Sequence, residues 1–175
     1  MTTTITEGGL AFNFPDGWDA TKYDNWAYYR NQFQNTCDSK AVDILALEPG
    51  GGTTLWIIEI KDYRRNRRTQ DISIWGEVSQ KVRDTLAGIL AAGVRASDDG
   101  ETRFAGKCRR ARRLRVVLHL EQPSKTSRLF PRAFNPVGVQ SKLKTCIKAI
   151  DPHPRVLNRS GNSSAVGWTV TKNRL

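Results

Sequence analysis

The sequence lacks the apolar run of roughly 20 residues that a membrane-spanning helix requires. Its first residues, MTTTITEGG, contain neither the basic cluster nor the apolar segment of a secretory signal, so we expect a cytoplasmic protein. Histidine and cysteine are scarce, at two and three residues, and no CxxC pair occurs. This scarcity argues against a structural zinc site and a disulfide framework, and it favours free thiols.

Acidic residues are also in the minority. The 17 aspartates and glutamates face 28 lysines and arginines, which gives a net charge of +11. Such an excess predicts a polyanionic partner, nucleic acid before a membrane surface. A length of 175 residues with 38% hydrophobic content predicts a single domain, residues 1–175, with a real core.

Two of the few carboxylates lie in strongly apolar runs. Residues 42–47 contain Asp43, residues 55–60 contain Glu59, and a glycine-rich turn lies between the two runs. The pattern predicts a hairpin of buried strands that brings the two carboxylates together. A buried carboxylate is costly unless it is paired or bound to a cation, and carboxylate oxygens suit Mg²⁺. Lys61 would share the face of Glu59. An ordinary Glu59–Lys61 ion pair at a strand end is the alternative.

Asp43, a gap of fifteen residues and then Glu59-Ile60-Lys61 resembles the PD-(D/E)xK nuclease superfamily, over about residues 41–92. The resemblance implies an α/β fold, with a small mixed central β-sheet flanked by helices, as in restriction endonucleases and Holliday-junction resolvases. It implies a metal-dependent endonuclease, a hydrolase that cleaves DNA phosphodiester bonds in defence, restriction or repair.

The same resemblance assigns roles to residues. Mg²⁺ or Mn²⁺ would be bound by Asp43, Glu59 and the carbonyl of Ile60, while Lys61 would orient a water or stabilise the phosphate. A helix before the hairpin would add Asp24 as a ligand. The helix after it would add catalytic polar residues, and the candidates are Gln80 and Lys81. An exposed position for Asp24, and a surface ion pair of Lys81 with Glu77 four residues before it, remain the alternatives.

Two basic runs follow the motif. They contain nine candidate nucleic-acid contacts: Tyr63, Arg64, Arg65, Arg67 and Arg68 in the first, and Arg109, Arg110, Arg112 and Arg113 in the second. Arginine binds phosphates through two parallel hydrogen bonds, and a tyrosine can stack on a base. The alternatives are a solvated loop for the first run and protection of a sheet edge for the second.

The remaining pattern predicts alternating helices and strands. We expect helices at residues 19–33, 71–92 and 137–150, with Asp19 as the N-cap of the first and Gly93 as the C-cap of the second. We also expect edge strands at 10–14 and 166–170, a buried strand at 116–120, a frayed segment at 1–9 and a polar turn at 97–106. A core of about residues 19–120 would be followed by a C-terminal helix and edge strand at 136–171.

The leading hypothesis is thus a DNA nuclease that needs Mg²⁺ or Mn²⁺, and a homodimer or a place in a larger complex is left open. The alternative is a catalytically silent module of the same fold that binds nucleic acid or serves as a subunit. A basic structural protein without a site is the least favoured, because it gives no reason for carboxylates in apolar strands.

Overall fold

A computed structural model describes residues 2–36, 38–50, 54–65, 68–69, 71–123, 134–161 and 166–173. These residues form eight strands and three α-helices. The strands are β1 (Thr3–Glu7), β2 (Leu10–Phe14), β3 (Asp19–Lys22), β4 (Ile44–Leu47), β5 (Thr54–Asp62), β6 (Arg113–Glu121), β7 (Arg155–Leu157) and β8 (Thr169–Lys172). The helices are α1 (Ile74–Arg95), α2 (Asp99–Cys108) and α3 (Pro136–Ile147).

The strands form two sheets. The larger has the order β3-β4-β5-β6-β7, in which β3, β4 and β5 pair antiparallel and β5, β6 and β7 pair parallel. The smaller is antiparallel, with the order β1-β2-β8. The predicted α/β class and mixed central sheet are therefore confirmed. The second sheet was not predicted.

The core lies on both faces of the larger sheet. Along β5, Leu55 and Ile57 belong to the cluster that includes α1, whereas Trp56 and Ile58 pack with the smaller sheet. Successive side chains of a strand point to opposite faces, so a strand covered on both faces reads as a continuous apolar run. This coverage explains why the hairpin of β4 and β5 was readable from the sequence.

The N-terminal third differs from the prediction. Residues 19–33 are not a helix but β3, a 3₁₀ turn at Tyr23–Asn25 and a π-helical segment at Tyr29–Phe33. Asp19 pairs with Leu47 in the sheet ladder instead of capping a helix. Residues 3–7 form β1 instead of a frayed end, and β2 is the central strand of the smaller sheet, not an edge.

The helix boundaries also shift. Helix α1 begins after the N-cap Ser73 and ends at Arg95. Gly93 therefore lies inside the helix and does not cap it. The predicted turn at 97–106 is largely α2, whose N-cap Asp98 accepts a hydrogen bond from the amide of Glu101 at 2.8 Å. Polar composition concealed this short helix, since its buried side is small. Helix α3 ends at Ile147, three residues before the predicted end.

Gly88 marks the closest approach of α1 to the aromatic core. A Cβ at this position would overlap the hydroxyl of Tyr23, a fully buried side chain, and would press on the ring of Phe33 at 3.4 Å. We expect Gly88→Ala to lower the free energy of unfolding by roughly 1–3 kcal/mol, the usual cost of overpacking. Urea denaturation measures this change.

Gly106 provides the matched control for that substitution. It lies in α2, and a Cβ there would meet nothing within 4 Å. Gly106→Ala should therefore raise stability by about 0.5–1 kcal/mol through helix propensity. Equal effects of the two substitutions would contradict the packing assigned to Gly88.

Candidate metal site

Three carboxylates from separate elements converge beside the larger sheet. Glu7 ends β1, Asp24 lies in the 3₁₀ turn and Asp43 immediately precedes β4. One oxygen from each lies within 4.8 Å of the other two. The amide of Tyr23 donates to the carbonyl of Asp43 at 2.9 Å and fixes the turn against the start of β4. We call Glu7, Asp24 and Asp43 the carboxylate cluster.

Asp43 is the most perturbed member of the cluster. Burial, and then the nearby charge of Glu59, raise its pKa to about 8. Its Oδ2 atom accepts a hydrogen bond from the amide of Ile60 at 2.6 Å, which only partly offsets this cost. Without a cation the carboxyl group is therefore mostly protonated at pH 7.

Glu59 lies next to the cluster and is almost completely buried, with 1% of its surface exposed. Its Oε1 accepts a hydrogen bond from the Lys81 ammonium at 2.6 Å, and Lys61 lies 3.2 Å from the same oxygen. Burial raises the pKa of Glu59 despite these two lysines. Its Oε2 accepts no hydrogen bond from the part of the chain that the structure describes.

Glu77 on α1 is linked to Glu59 through Lys61, which contacts both carboxylates. It receives hydrogen bonds from Lys61 and from Arg68, the latter at 2.6 Å. Burial opposes ionisation of Glu77, but these two partners hold its pKa below the usual range. The surface pair of Glu77 with Lys81, one of the sequence alternatives, does not form; Lys81 instead pairs with Glu59.

The chemistry of the cluster fits a hard divalent cation. Asp24 Oδ1 is buried and accepts no hydrogen bond from the described residues, and burial raises the pKa of Asp24. The ammonium group of Lys22 lies 2.5 Å from the carboxylate of Glu7 and balances its charge. Asp24 and Asp43, whose pKa values are both raised, remain side by side. Such oxygen donors match Mg²⁺ or Mn²⁺.

The structure brings together only part of the predicted metal set. Asp24 and Asp43 lie in the cluster, whereas Glu59 is adjacent and is engaged by lysines. Ile60 contributes its amide to Asp43, and a role for its carbonyl stays a prediction, as does a catalytic role for half-buried Gln80. Glu7 was missed because the sequence placed it in a frayed segment.

The two basic runs lie at opposite ends of β5 and β6. The first follows the last residue of β5 and the second enters β6, and the parallel register pairs Thr54 with Arg113 and Asp62 with Glu121. Eight residue steps separate those pairs by roughly 26 Å, at about 3.3 Å per residue. The runs therefore do not form one continuous surface beside the carboxylates.

Side chains of the first run are largely engaged within the protein. Arg64 makes a two-point contact with Asp62, and Arg68 donates to Glu77, to the hydroxyl of Tyr63 and to a backbone carbonyl. The ring of Tyr63 packs 5.7 Å from that of Phe134. Arg65 is exposed, and Arg67 lies outside the described residues.

The second run remains open to solvent. Its four predicted contacts are all exposed, at the junction between α2 and β6: Arg109, Arg110, Arg112 and Arg113. We call these four residues the basic turn. Their exposure makes this turn, not the first run, the better surface for a polyanion.

Comparison with known proteins shows that the chain is similar to part of a curated protein. It is 34% identical over 163 residues to a cysteine–tRNA ligase of Neisseria meningitidis (serogroup A / serotype 4A), with 74% of this chain covered. The match covers 22% of the ligase, so the chain spans about a fifth of the length of this curated relative. No protein-family model and no solved structure matches.

This similarity corrects the reading of the motif. The relative is named as a ligase that acts on tRNA, not as a nuclease. The assignment to the PD-(D/E)xK superfamily and the prediction of a DNA-cleaving hydrolase are therefore wrong. The motif misled because acidic groups with a nearby lysine also arise from the ion pairs of a buried strand.

The structure also bears on membrane association. None of the helices within the described ranges has the length and apolar character needed to cross a bilayer.

Proposed function

We propose that the chain is a tRNA-binding domain of a protein related to cysteine–tRNA ligase. The similarity to that ligase over 74% of the chain carries the proposal. The matched segment is 22% of the ligase, and the part that we propose for this chain is the binding of tRNA. A net charge of +11 supplies the attraction for an RNA backbone.

The basic turn is the surface that we assign to this contact. Its four exposed guanidinium groups suit the phosphate oxygens of a folded RNA. Exposed arginines attract the backbone of DNA as well as that of RNA. The similarity to a cysteine–tRNA ligase is the reason for which we assign tRNA as the partner. Tyr63, Arg64 and Arg68 are better read as residues that stabilise the domain, since they bind each other or neighbouring acidic groups.

We further propose that the carboxylate cluster binds Mg²⁺ or Mn²⁺. Glu7, Asp24 and Asp43 would hold the ion, and Glu59 beside them would add negative charge. A bound ion would neutralise carboxylates that burial otherwise drives toward protonation, and it could offer its remaining positions to an RNA phosphate. Lys81 and Lys61 would keep Glu59 oriented beside the ion.

The tRNA contact is tested by removing three arginines of the basic turn. We expect R109Q/R110Q/R112Q to weaken binding of a tRNA transcript that accepts cysteine by roughly 10- to 100-fold near 0.1 M salt. The slope of log K against log salt should fall by about two to three, since each phosphate contact contributes about one. Filter binding over a salt series measures both quantities.

R30Q/R83Q/R103Q is the matched control, because it removes the same charge from exposed positions outside the basic turn. This control should retain most of the affinity. Equal losses in the two triple variants would mean that net charge alone drives binding. A duplex DNA of similar length that binds as tightly as the tRNA would overturn the assignment of tRNA as the partner.

A further inference from the structure

An arginine-rich cavity lies at the end of β5 away from the carboxylate cluster. Its volume is about 320 Å³, and it opens between the larger sheet and the segment leading into β8. Six of its lining residues define it, and we call it the arginine pocket: Glu48, Thr54, Trp56, Arg113, Arg115 and Arg155. The volume is near the lower limit for ligand sites, so it suits one small group.

Strand register builds this pocket. Thr54 and Trp56 face the same side of β5, and the parallel ladder sets Arg113 and Arg115 directly beside them. Arg155 enters from β7, the next strand of the sheet. Three guanidinium groups from two adjacent strands therefore converge on one cavity.

The acidic groups near the pocket already have partners. Glu48 accepts a hydrogen bond from the indole of Trp56 at 2.8 Å. Behind the wall, buried Asp151 contacts Arg115 at 3.2 Å and also accepts from the amides of Val116 and His153, both at 2.8 Å. The cavity is thus bordered by three arginines and one carboxylate, Glu48, while Asp151 engages Arg115 from behind.

The pocket is separate from the carboxylate cluster in both position and charge. Trp56 packs with the smaller sheet, whereas Glu59, an odd number of residues further along β5, faces α1 through Lys81. The two sites therefore lie on opposite faces of the sheet as well as towards opposite ends of β5.

We propose that the arginine pocket binds a phosphate monoester, the terminal phosphate of a free nucleotide or of an RNA 5′ end. Guanidinium groups match phosphate oxygens in geometry and charge, and three of them border this one cavity. The small cavity favours a terminal group over a backbone that must pass through. The pocket shares only Arg113 with the basic turn, and its ligand is tested with AMP and not with tRNA.

The indole N–H of Trp56 reports on this pocket, because its partner Glu48 is part of the wall. In ¹H–¹⁵N spectra, with the indole signal assigned through Trp56→Phe, AMP and inorganic phosphate should shift this signal saturably. We expect Arg113→Gln to weaken AMP binding about tenfold, by loss of a charge-assisted contact. Arg113 is exposed, so the variant should keep its melting temperature.

Arg83→Gln is the control, since it removes an exposed arginine from α1. Adenosine and the diester ApA should shift the Trp56 signal at least tenfold more weakly than AMP. An RNA oligonucleotide with a 5′ phosphate that binds more tightly than AMP, and more tightly than its 5′-hydroxyl form, identifies an RNA end as the source. Preference for AMP alone identifies a free nucleotide.

Three results would overturn the proposal. They are the absence of a saturable Trp56 shift in the wild-type protein, equal weakening by Arg83→Gln and Arg113→Gln, and binding of ApA as tight as that of AMP. Loss of tRNA binding in R109Q/R110Q/R112Q does not bear on the test of the arginine pocket, because those three arginines do not line it.

Discussion

Lys81→Met is expected to lower the free energy of unfolding by roughly 3 kcal/mol, which is typical of removing one partner from a buried ion pair. Glu59 is 1% exposed and depends on Lys81 for its shortest contact, at 2.6 Å. Lys61 alone, at 3.2 Å and shared with Glu77, cannot replace that contact fully. Urea denaturation followed by tryptophan fluorescence measures the change.

Lys107→Met is the matched control for this prediction. Lys107 contacts Asp19 at 2.7 Å, close to the distance in the buried pair, but both side chains are about half exposed. Its loss should cost no more than about 0.5–1 kcal/mol, as for other surface pairs. Glu59→Gln introduced together with Lys81→Met should recover much of the loss, because it removes the unpaired charge. Equal costs for the two lysines would show that Glu59 is not buried as described.

Asp43→Asn is expected to remove the pH dependence of stability that Asp43 causes in the metal-free protein. A pKa of about 8 in the folded state lies above the usual value of 3.8, so the folded protein holds the proton more tightly than the unfolded chain. The contribution of Asp43 to the stability of the wild-type protein should therefore be greatest below pH 4, and it should decline as the pH rises toward 8. The variant should lack this decline and should be more stable near pH 8.5, by on the order of 5 kcal/mol.

Mg²⁺ or Mn²⁺ should restore the wild-type protein near pH 8.5 and have little effect on Asp43→Asn. Calorimetry near pH 7 in buffers of different ionisation enthalpy should detect release of about one proton per ion, because Asp43 must ionise to bind. Asp71→Asn, at an exposed position before α1, is the control and should behave as wild type. Metal binding by Asp43→Asn with unchanged affinity and proton release would exclude Asp43 as a ligand.

The hairpin was predictable because strands that are buried on both faces have apolar residues at successive positions. Residues 44–47 and 55–58 are apolar at every position, so the pairing of the strands and the approach of Asp43 to Glu59 followed from local pattern alone, while residues 51–53 of the predicted turn lie outside the described residues. The position of Lys81 was also predictable from the sequence, because α1 has a clear apolar stripe and Lys81 lies on its polar side. Local periodicity therefore placed Lys81 on the polar side of α1, but its pairing with Glu59 was not predicted.

The carboxylate cluster was only half predictable, since it depends on contacts between distant segments. Aromatic residues from Tyr23 to Phe33 recur at helical spacing, but pairing of Asp19–Lys22 with β4 overrides that preference. Glu7 reaches the site only because β1 joins a sheet whose third strand comes from the far end of the chain. Chemistry was harder still, because charged groups in strands are consistent with several activities, and the motif pointed to the wrong one.

The central place of β2 in the smaller sheet has a consequence for the order of folding. Phe12 and Phe14 are fully buried, and Trp168 covers Phe14 with a ring separation of 5.4 Å. The side chain of Asn13 reaches Thr171, 158 residues later. Ribosomes would take roughly 10–30 s to make that length of chain, during which β2 lacks both its β8 neighbour and the cover of Trp168. The sheet should thus close last, and a nascent chain should be a substrate for chaperones that bind exposed aromatic segments.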